Sequence, residues 1–224
     1  PRLLKKLVKD YKPEEKLDFY KQVLGQDDVS PDVLAFLSKD ENEHVREGVA
    51  KNPSTPLEAL LALSKDENWQ VRLTLADNTK SPPEVLLVLS RDEDEDVRRY
   101  VADNPSTPPE ILIALSMDGP GYVTAGVAFN PSTPPETLLI LSKDEDKHVR
   151  WAVASNPNTP PEILLILSRD KNERVRKAAA QNPSFQKRDA LDESIDSQKL
   201  DARLIKQMIS EVLDGGRSKN PKIT

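Results

Sequence analysis

Apolar residues in this chain fall into two alternating blocks. One is short and dense, as in Leu86, Leu87 and Leu89 or Leu138, Leu139, Ile140 and Leu141. The other is sparse, with valines four apart followed by an alanine, as in Val97, Val101 and Ala102. A helix apolar on most of its faces has to be sandwiched between neighbours. The sparse spacing predicts a second helix with one buried stripe and a polar opposite side. Both blocks recur in strict register, because Val45, Val71, Val97, Val123, Val149 and Val175 are 26 residues apart. So are Asn52, Asn78, Asn104, Asn130, Asn156 and Asn182. A fixed period of this size marks stacked supersecondary units, so residues 27–183 predict an all-α solenoid of about six two-helix repeats.

The residues between the blocks predict where each helix starts and stops. Thr107-Pro108-Pro109-Glu110 reads as a capping box, with Thr107 capping the Glu110 amide and Glu110 reaching back. The same box is expected at Thr55/Glu58, Ser81/Glu84, Thr133/Glu136 and Thr159/Glu162. Asn104-Pro105 reads as a stop, because asparagine tolerates the left-handed conformation and proline pushes its predecessor out of the helical region. The unit is therefore helix, turn, short helix, turn.

Two polar columns run through the repeats. Arg46, Arg72, Arg98, Arg150 and Arg176 share one offset, and Asp40, Asp66, Asp92, Asp144 and Asp170 lie six residues earlier. They predict a ladder linking repeats through charge-assisted hydrogen bonds. The asparagine column predicts a second ladder, with side-chain amides satisfying turn backbone.

Outside the array, residues 1–26 read as an N-terminal helical cap, from Leu3–Val8 and Pro13–Leu24 with Phe19 and Tyr20. Residues 184–216 read as a C-terminal helix that caps the last repeat or meets a partner, its stripe running through Leu200, Leu204, Ile205, Met208, Ile209, Val212 and Leu213. Residues 217–224 read as a flexible tail.

Composition narrows the function. The apolar fraction of 37% is low for a compact globule and suits an elongated body with a narrow core. Sixteen of the 19 prolines lie inside the repeats at fixed offsets, so they are punctuation. The net charge of −6 is uneven, because residues 27–183 carry 17 Lys/Arg against 27 Asp/Glu. That balance counts against generic nucleic-acid binding. With no cysteine, disulfides and thiolate metal or iron–sulfur ligation are excluded, and the compartment leans to the cytoplasm. No apolar run is long enough to span a membrane. Only His44 and His148 could act as imidazole bases or ligands, and they sit four repeats apart in one column. No cofactor, metal site or catalytic set is expected, and the chain reads as no enzyme.

The informative positions are those that vary on the side of the second helix opposite the buried stripe, at 44, 47, 48 and 51 and their equivalents. They bring Leu73, Arg99, Tyr100, Tyr122, Phe129, His148 and Trp151 where an ordinary solvated face is polar, with Trp69 on the flank. Exposed aromatics beside arginine are the usual anchors of binding surfaces. The alternative is that they pack between neighbouring second helices. The fourth repeat also departs from its siblings at Met117-Asp118-Gly119-Pro120-Gly121-Tyr122 and places Thr124 in the arginine column, either as a drifted unit or as a widened groove.

The run Val-Arg-x-x-Val-Ala-x-Asn-Pro-x-Thr-Pro-Pro-Glu-x-Leu-x-x-Leu-Ser-x-Asp, legible at Val97–Asp118 and Val149–Asp170, resembles the leucine-rich repeat variant family, and its Asp…Val-Arg half is similar to HEAT-like repeats. The resemblance implies a right-handed superhelix of paired helices, the second short or 3₁₀ in character, and members are mostly regarded as interaction scaffolds. One member carries a cysteine-ligated cluster, which this cysteine-free chain does not share. The expected function is a non-enzymatic scaffold that binds a peptide or partner helix along the second-helix face. A nucleic-acid-processing or lyase-like enzyme on a HEAT-like array and a purely structural spacer are the alternatives.

Overall fold

The computed structural model describes residues 13–117 and 121–186, and every regular element among them is a helix. The expected elements at Leu3–Val8, the 200–213 stripe, the turn at 118–120 and the tail at 217–224 lie outside the described residues. The chain divides into two compact units, residues 1–132 and 133–224. The first holds α1 (Pro13–Leu24) and four helix pairs: α2 (Pro31–Leu37) with α3 (Glu43–Lys51), α4 (Leu57–Leu63) with α5 (Trp69–Asp77), α6 (Pro83–Leu89) with α7 (Glu95–Asp103), and α8 (Pro109–Leu115) with α9 (Gly121–Phe129). The second holds α10 (Pro135–Leu141) with α11 (Lys147–Ser155), α12 (Pro161–Leu167) with α13 (Glu173–Gln181), and the single turn α14 (Pro183–Gln186).

In each pair the second helix is an α-helix of nine residues and the first has only seven. Of the two characters expected of the second helix, short or 3₁₀, it has the first: it is a short α-helix, though longer than the first helix of the pair. Its nine residues run from a side-chain N-cap such as Asn68 or Asp94, through the two buried apolar residues one turn apart, to the asparagine that ends it. In the first unit α1, α3, α5, α7 and α9 lie side by side in chain order, and in the second α11 lies against α13. The buried stripe is the predicted one, with Val71, Leu75, Ala76, Val97, Val101 and Ala102 fully out of water. Against it the first helices bury Val85, Leu86 and Leu89, or Leu112 and Leu115. The first helices are not sandwiched on all sides, however. Leu87 is 46% and Ile113 41% exposed in the first unit, and Ile140 is 68% exposed in the second. A helix in a single stacked row has neighbours on both flanks and a partner behind it, which leaves its front open.

Two local rules differ from the sequence expectation. The first helices begin at a proline N-cap, such as Pro82, Pro108 or Pro160, with no side-chain cap, so the capping boxes do not form. A proline at N1 has no N–H to satisfy, which weakens the demand for a cap. The hydroxyl expected to serve as the cap is itself buried and donates backwards. Thr55 Oγ1 to Val49 O, Ser81 Oγ to Leu75 O and Thr159 Oγ1 to Val153 O are each 2.6 Å. Each satisfies one of the carbonyls left over at the end of the preceding helix.

The asparagine stops are not left-handed either. Asn52 has φ −73° and ψ 126°, and Asn78 has φ −72° and ψ 110°. Asn78 is followed by Thr79 rather than proline, so proline alone does not set this conformation. The side-chain amide does, by reaching the preceding repeat. Asn104 Nδ2 donates to Ala76 O at 2.8 Å and Asn78 O at 3.0 Å, and Asn130 Nδ2 to Ala102 O at 2.7 Å and Asn104 O at 2.8 Å. Its Oδ1 meanwhile accepts a turn amide two residues on, as from Ser106 and Ser132. The second ladder therefore both shapes the turn and ties neighbouring repeats.

The Arg–Asp ladder forms with a defined direction. Arg46 Nε and Nη2 grip the carboxylate of Asp66 in the next repeat at 2.7 and 2.9 Å, and Arg72 grips Asp92 at the same distances. In the second unit Arg150 holds Asp170 at 2.7 and 3.1 Å. The third guanidinium nitrogen turns back to its own repeat, as Arg72 Nη1 does to Asp66 O at 2.7 Å. These arginines are 4–8% exposed, so the fork is shielded from competing water. Thr124, which stands in this column, is also buried.

Candidate functional site

The side of the second helices that stacking leaves open is where a partner can be met. Within it the structure separates two kinds of position. Residues equivalent to 44 and 51 lie mostly in solvent, including Gln70, Asp77, Asp96, Asp103, Tyr122 and Phe129 in the first unit and His148 and Arg174 in the second. Residues equivalent to 48 turn toward the neighbouring second helix, so that expected solvent column is a packing seam. Gly126 is buried there, and a Cβ on it would come within 2.7 Å of Asp103 Oδ1 and 3.1 Å of Ala102 Cβ. A side chain here would have to displace the Asp103 carboxylate and crowd Ala102, so glycine favours the close approach of α9 to α7. Gly48 plays the same part against Leu24, whose Cδ1 would be 2.7 Å from an added Cβ.

In the first unit the aromatic residues named from the sequence sit on α5, α7 and α9. Tyr122 is 73% exposed, Phe129 51% and Trp69 44%, while Leu73 and Tyr100 are half-buried. Tyr100, in the seam column, is covered by the Arg99 guanidinium, whose central carbon stands 5.2 Å from the ring centroid. That stacking holds Arg99 over an aromatic face. Its Nε, like Oε1 of Glu95 one turn back, is shielded from water without a hydrogen bond. The Asp96 carboxylate stands 3.8 Å from Arg99 Nε. Asp103 is exposed as a residue, but its carboxyl leans over Gly126 in the seam, and the loss of water there pushes it above its ordinary value, partly offset by the charge of Arg99.

In the second unit Trp151 and His148 lie on α11. Trp151 is 43% exposed and stands between two shallow hollows shared with α13. One, of about 540 Å³, is lined by Lys147, His148, Trp151, Asn172, Glu173 and Arg174. The other, of about 390 Å³, lies beyond Trp151 and Arg174 toward Ser155 and Lys177. A larger hollow, about 890 Å³, lies elsewhere, by Tyr20, Phe36 and Asp40 in the first unit, and none of the candidate binding residues lines it.

Each residue named from the sequence is thus on the second helices, at the surface or in the seam, and each unit gathers its own group. Sequence reasoning missed the open front of the first helices, where Leu87 and Ile113 stand out. A dense apolar block carries no signal for which of its sides is open. It also missed the serine contacts between repeats, such as Ser184 Oγ to Pro157 O at 2.8 Å. Among the described residues, no group of three or more His, Asp or Glu side chains is placed to hold a metal ion. No helix among them is long and apolar enough to cross a membrane.

Comparison with known proteins returns likenesses of fold and sequence. A family profile described as Leucine Rich Repeat Variant domain matches residues 123–183, and one described as Leucine rich repeat variant matches residues 43–68. A solved structure described as a leucine-rich repeat variant with a novel repetitive protein structural motif is 32% identical, with a TM-score of 0.60, over 90% of this chain and 79% of that one. An engineered protein of known structure is 18% identical over 84% of this chain and 95% of its own, with a TM-score of 0.35. No curated protein matches the chain.

Proposed function

The chain belongs to the leucine-rich repeat variant family, and from that premise we propose that it is a non-enzymatic scaffold that binds a protein partner, as a peptide or a helix, along the open face of its second helices. The family fold is of scaffold type, and what it presents is set by the residues that stacking does not use. One observation carries the reading: Trp69, Tyr122 and Phe129 in the first unit and Trp151 in the second stay 43–73% exposed on second helices whose stacking does not use them. Large aromatic side chains supply much contact area at low entropic cost, which is why they dominate binding anchors. A purely structural spacer would gain nothing from leaving them in water.

The test is selection of a random peptide library on the intact chain and on two variants, Tyr122→Ser/Phe129→Ser and Trp151→Ala. Enriched peptides should bind the parent and lose roughly tenfold or more on at least one variant, while circular dichroism and melting stay close to the parent. Peptides that bind all three chains equally would place recognition elsewhere and sink the reading.

A further inference from the structure

We propose that the face of the second unit formed by α11 and α13 is a docking site for an acidic peptide segment, read by Trp151 and the cations around it. This rests on the scaffold reading and names the chemistry of one of its partners. Lys147, Trp151, Arg174 and Lys177 are exposed together on two adjacent helices, with His148 beside them. Trp151 and Arg174 line both hollows, so together they separate a 540 Å³ space from a 390 Å³ space. Each is large enough for an apolar side chain, and each is bordered by at least one cation. Lys177 is paired with Glu173 at 2.7 Å. Lys147 and Arg174 make no ion pair among the described residues.

Charge selects the occupant. Residues 27–132 carry nine Lys/Arg against 20 Asp/Glu, and residues 133–183 carry eight against seven. On the α11–α13 face, Lys147, Arg174 and Lys177 stand against Glu173 alone. A basic surface on an otherwise acidic chain attracts an anionic partner locally and discourages one that extends far along the molecule. A nucleic acid is such an extended polyanion and needs many phosphate contacts for affinity at ordinary salt. A short acidic segment with one or two leucines needs only these cations, the indole and the hollows.

The chain has two tryptophans, so Trp69→Phe, a change confined to the first unit's aromatic group, leaves Trp151 as the sole indole reporter, while the library selection is kept to the parent chain and its two variants. The probes are a synthetic peptide with glutamates flanking two leucines, the same peptide with glutamine for glutamate, and an oligo-dT strand. The glutamate peptide should shift Trp151 emission in a saturable way. Arg174→Glu, the glutamine peptide and raised salt should each weaken it, by roughly tenfold for the charge reversal. An unchanged emission, an equal response to the glutamine peptide, or tighter binding of oligo-dT would overturn the proposal. So would self-association that Arg174→Glu abolishes, which would make a second copy the occupant. If the glutamate peptide fails while library peptides still depend on Tyr122 and Phe129, this inference fails and the scaffold reading stands. If neither face binds any peptide, both fail.

Discussion

Along α3, α5, α7 and α9 the first unit sets Glu43, Glu47, Asp77, Glu95, Asp96 and Asp103 beside its seam and open columns, against only Lys51 and Arg99. Along α11 and α13 the second unit sets Lys147, Arg174 and Lys177 there, against Glu173. The helix lengths, the buried valines, the asparagine anchors and the Arg–Asp forks are the same in both. Two regions that share the same stacking framework thus disagree on the sign of the charge they show to water. The lesson is a division of labour within each repeat. Columns held by neighbours are fixed by packing and hydrogen bonding, and columns that touch only solvent are free to differ.

The sharpest way to break that comparison is to cut the same rung in each unit. Arg72→Ala strands the Asp92 carboxylate, and Arg150→Ala strands Asp170, both in shielded positions. Removing one partner of a buried ion pair costs about 3–5 kcal/mol, and the two losses, read from urea denaturation, should match within experimental scatter. Replacing both partners by leucine in Arg72→Leu/Asp92→Leu should restore much of the loss, because no charge is then left unpaired. Unequal single-variant losses would show that the units do not share a framework.

The asparagine anchors come next. Asn104→Ala strands Ala76 O and the Ser106 amide and leaves Asn78 O with only its bond from the Ser81 amide, and Asn182→Ala does the same with Ala154 O, the Ser184 amide and Asn156 O, which keeps the Thr159 amide. Each should cost about 2 kcal/mol, the scale of buried polar groups left unsatisfied. Asn78 is half-exposed and its amide donates only to Ala50 O. Asn78→Ala should therefore cost less, and an equal cost would put the anchor's value in the turn rather than in the tie between repeats.

These columns also mark how far the sequence could be read. Register, helix pairing, the buried valines and the existence of both ladders were legible because each rests on strict repetition at 26 residues. The capping boxes were not, because Thr107 and its equivalents satisfy a local sequence rule while their burial, which redirects the hydroxyl to the helix behind, is set by stacking. The left-handed asparagine failed for a related reason, since the anchor lies 26 and 28 residues back and no local window contains it. In the candidate site, the aromatic residues were legible as departures from a polar column. Their ranking was not, because Tyr100 and Tyr122 occupy different columns whose exposure depends on how closely neighbouring helices approach.

Acid titration compares the rungs more gently. Burial alone would push the Asp66 carboxyl up, but the hydrogen bonds from Arg46 and the Asn68 amide, with the arginine charges, outweigh it and hold the group below the ordinary carboxylate value. Asp170 is held down in the same way by Arg150 and the Asn172 amide. A depressed folded value means that the rung stabilises fully above the unfolded carboxylate pKa of about 3.9 and fades as pH falls through the folded value. Hydrogen exchange at the Asn68 and Asn172 amides, which donate to these carboxylates at 2.9 and 2.7 Å, should accelerate together below that point, relative to unperturbed amides. Loss of protection at one and not the other would separate the units.

The smallest expected effect is the most telling, because it runs against intuition about charge. Lys147 and Arg174 sit in the first turns of α11 and α13, and Asp77 and Asp103 close α5 and α7. Each charge opposes the helix macrodipole, which favours anions at the N-terminus and cations at the C-terminus. Reversing them should therefore stabilise the fold, by about 0.3–1 kcal/mol for an exposed site such as Arg174→Glu or Asp77→Lys. Arg174→Glu should at the same time lose the acidic peptide. A variant that gains stability as it loses binding would show that the charge serves the surface at the expense of the helix. An Arg174→Glu chain less stable than the parent would instead assign that arginine to the framework, and the contrast between the two units would lose its basic half.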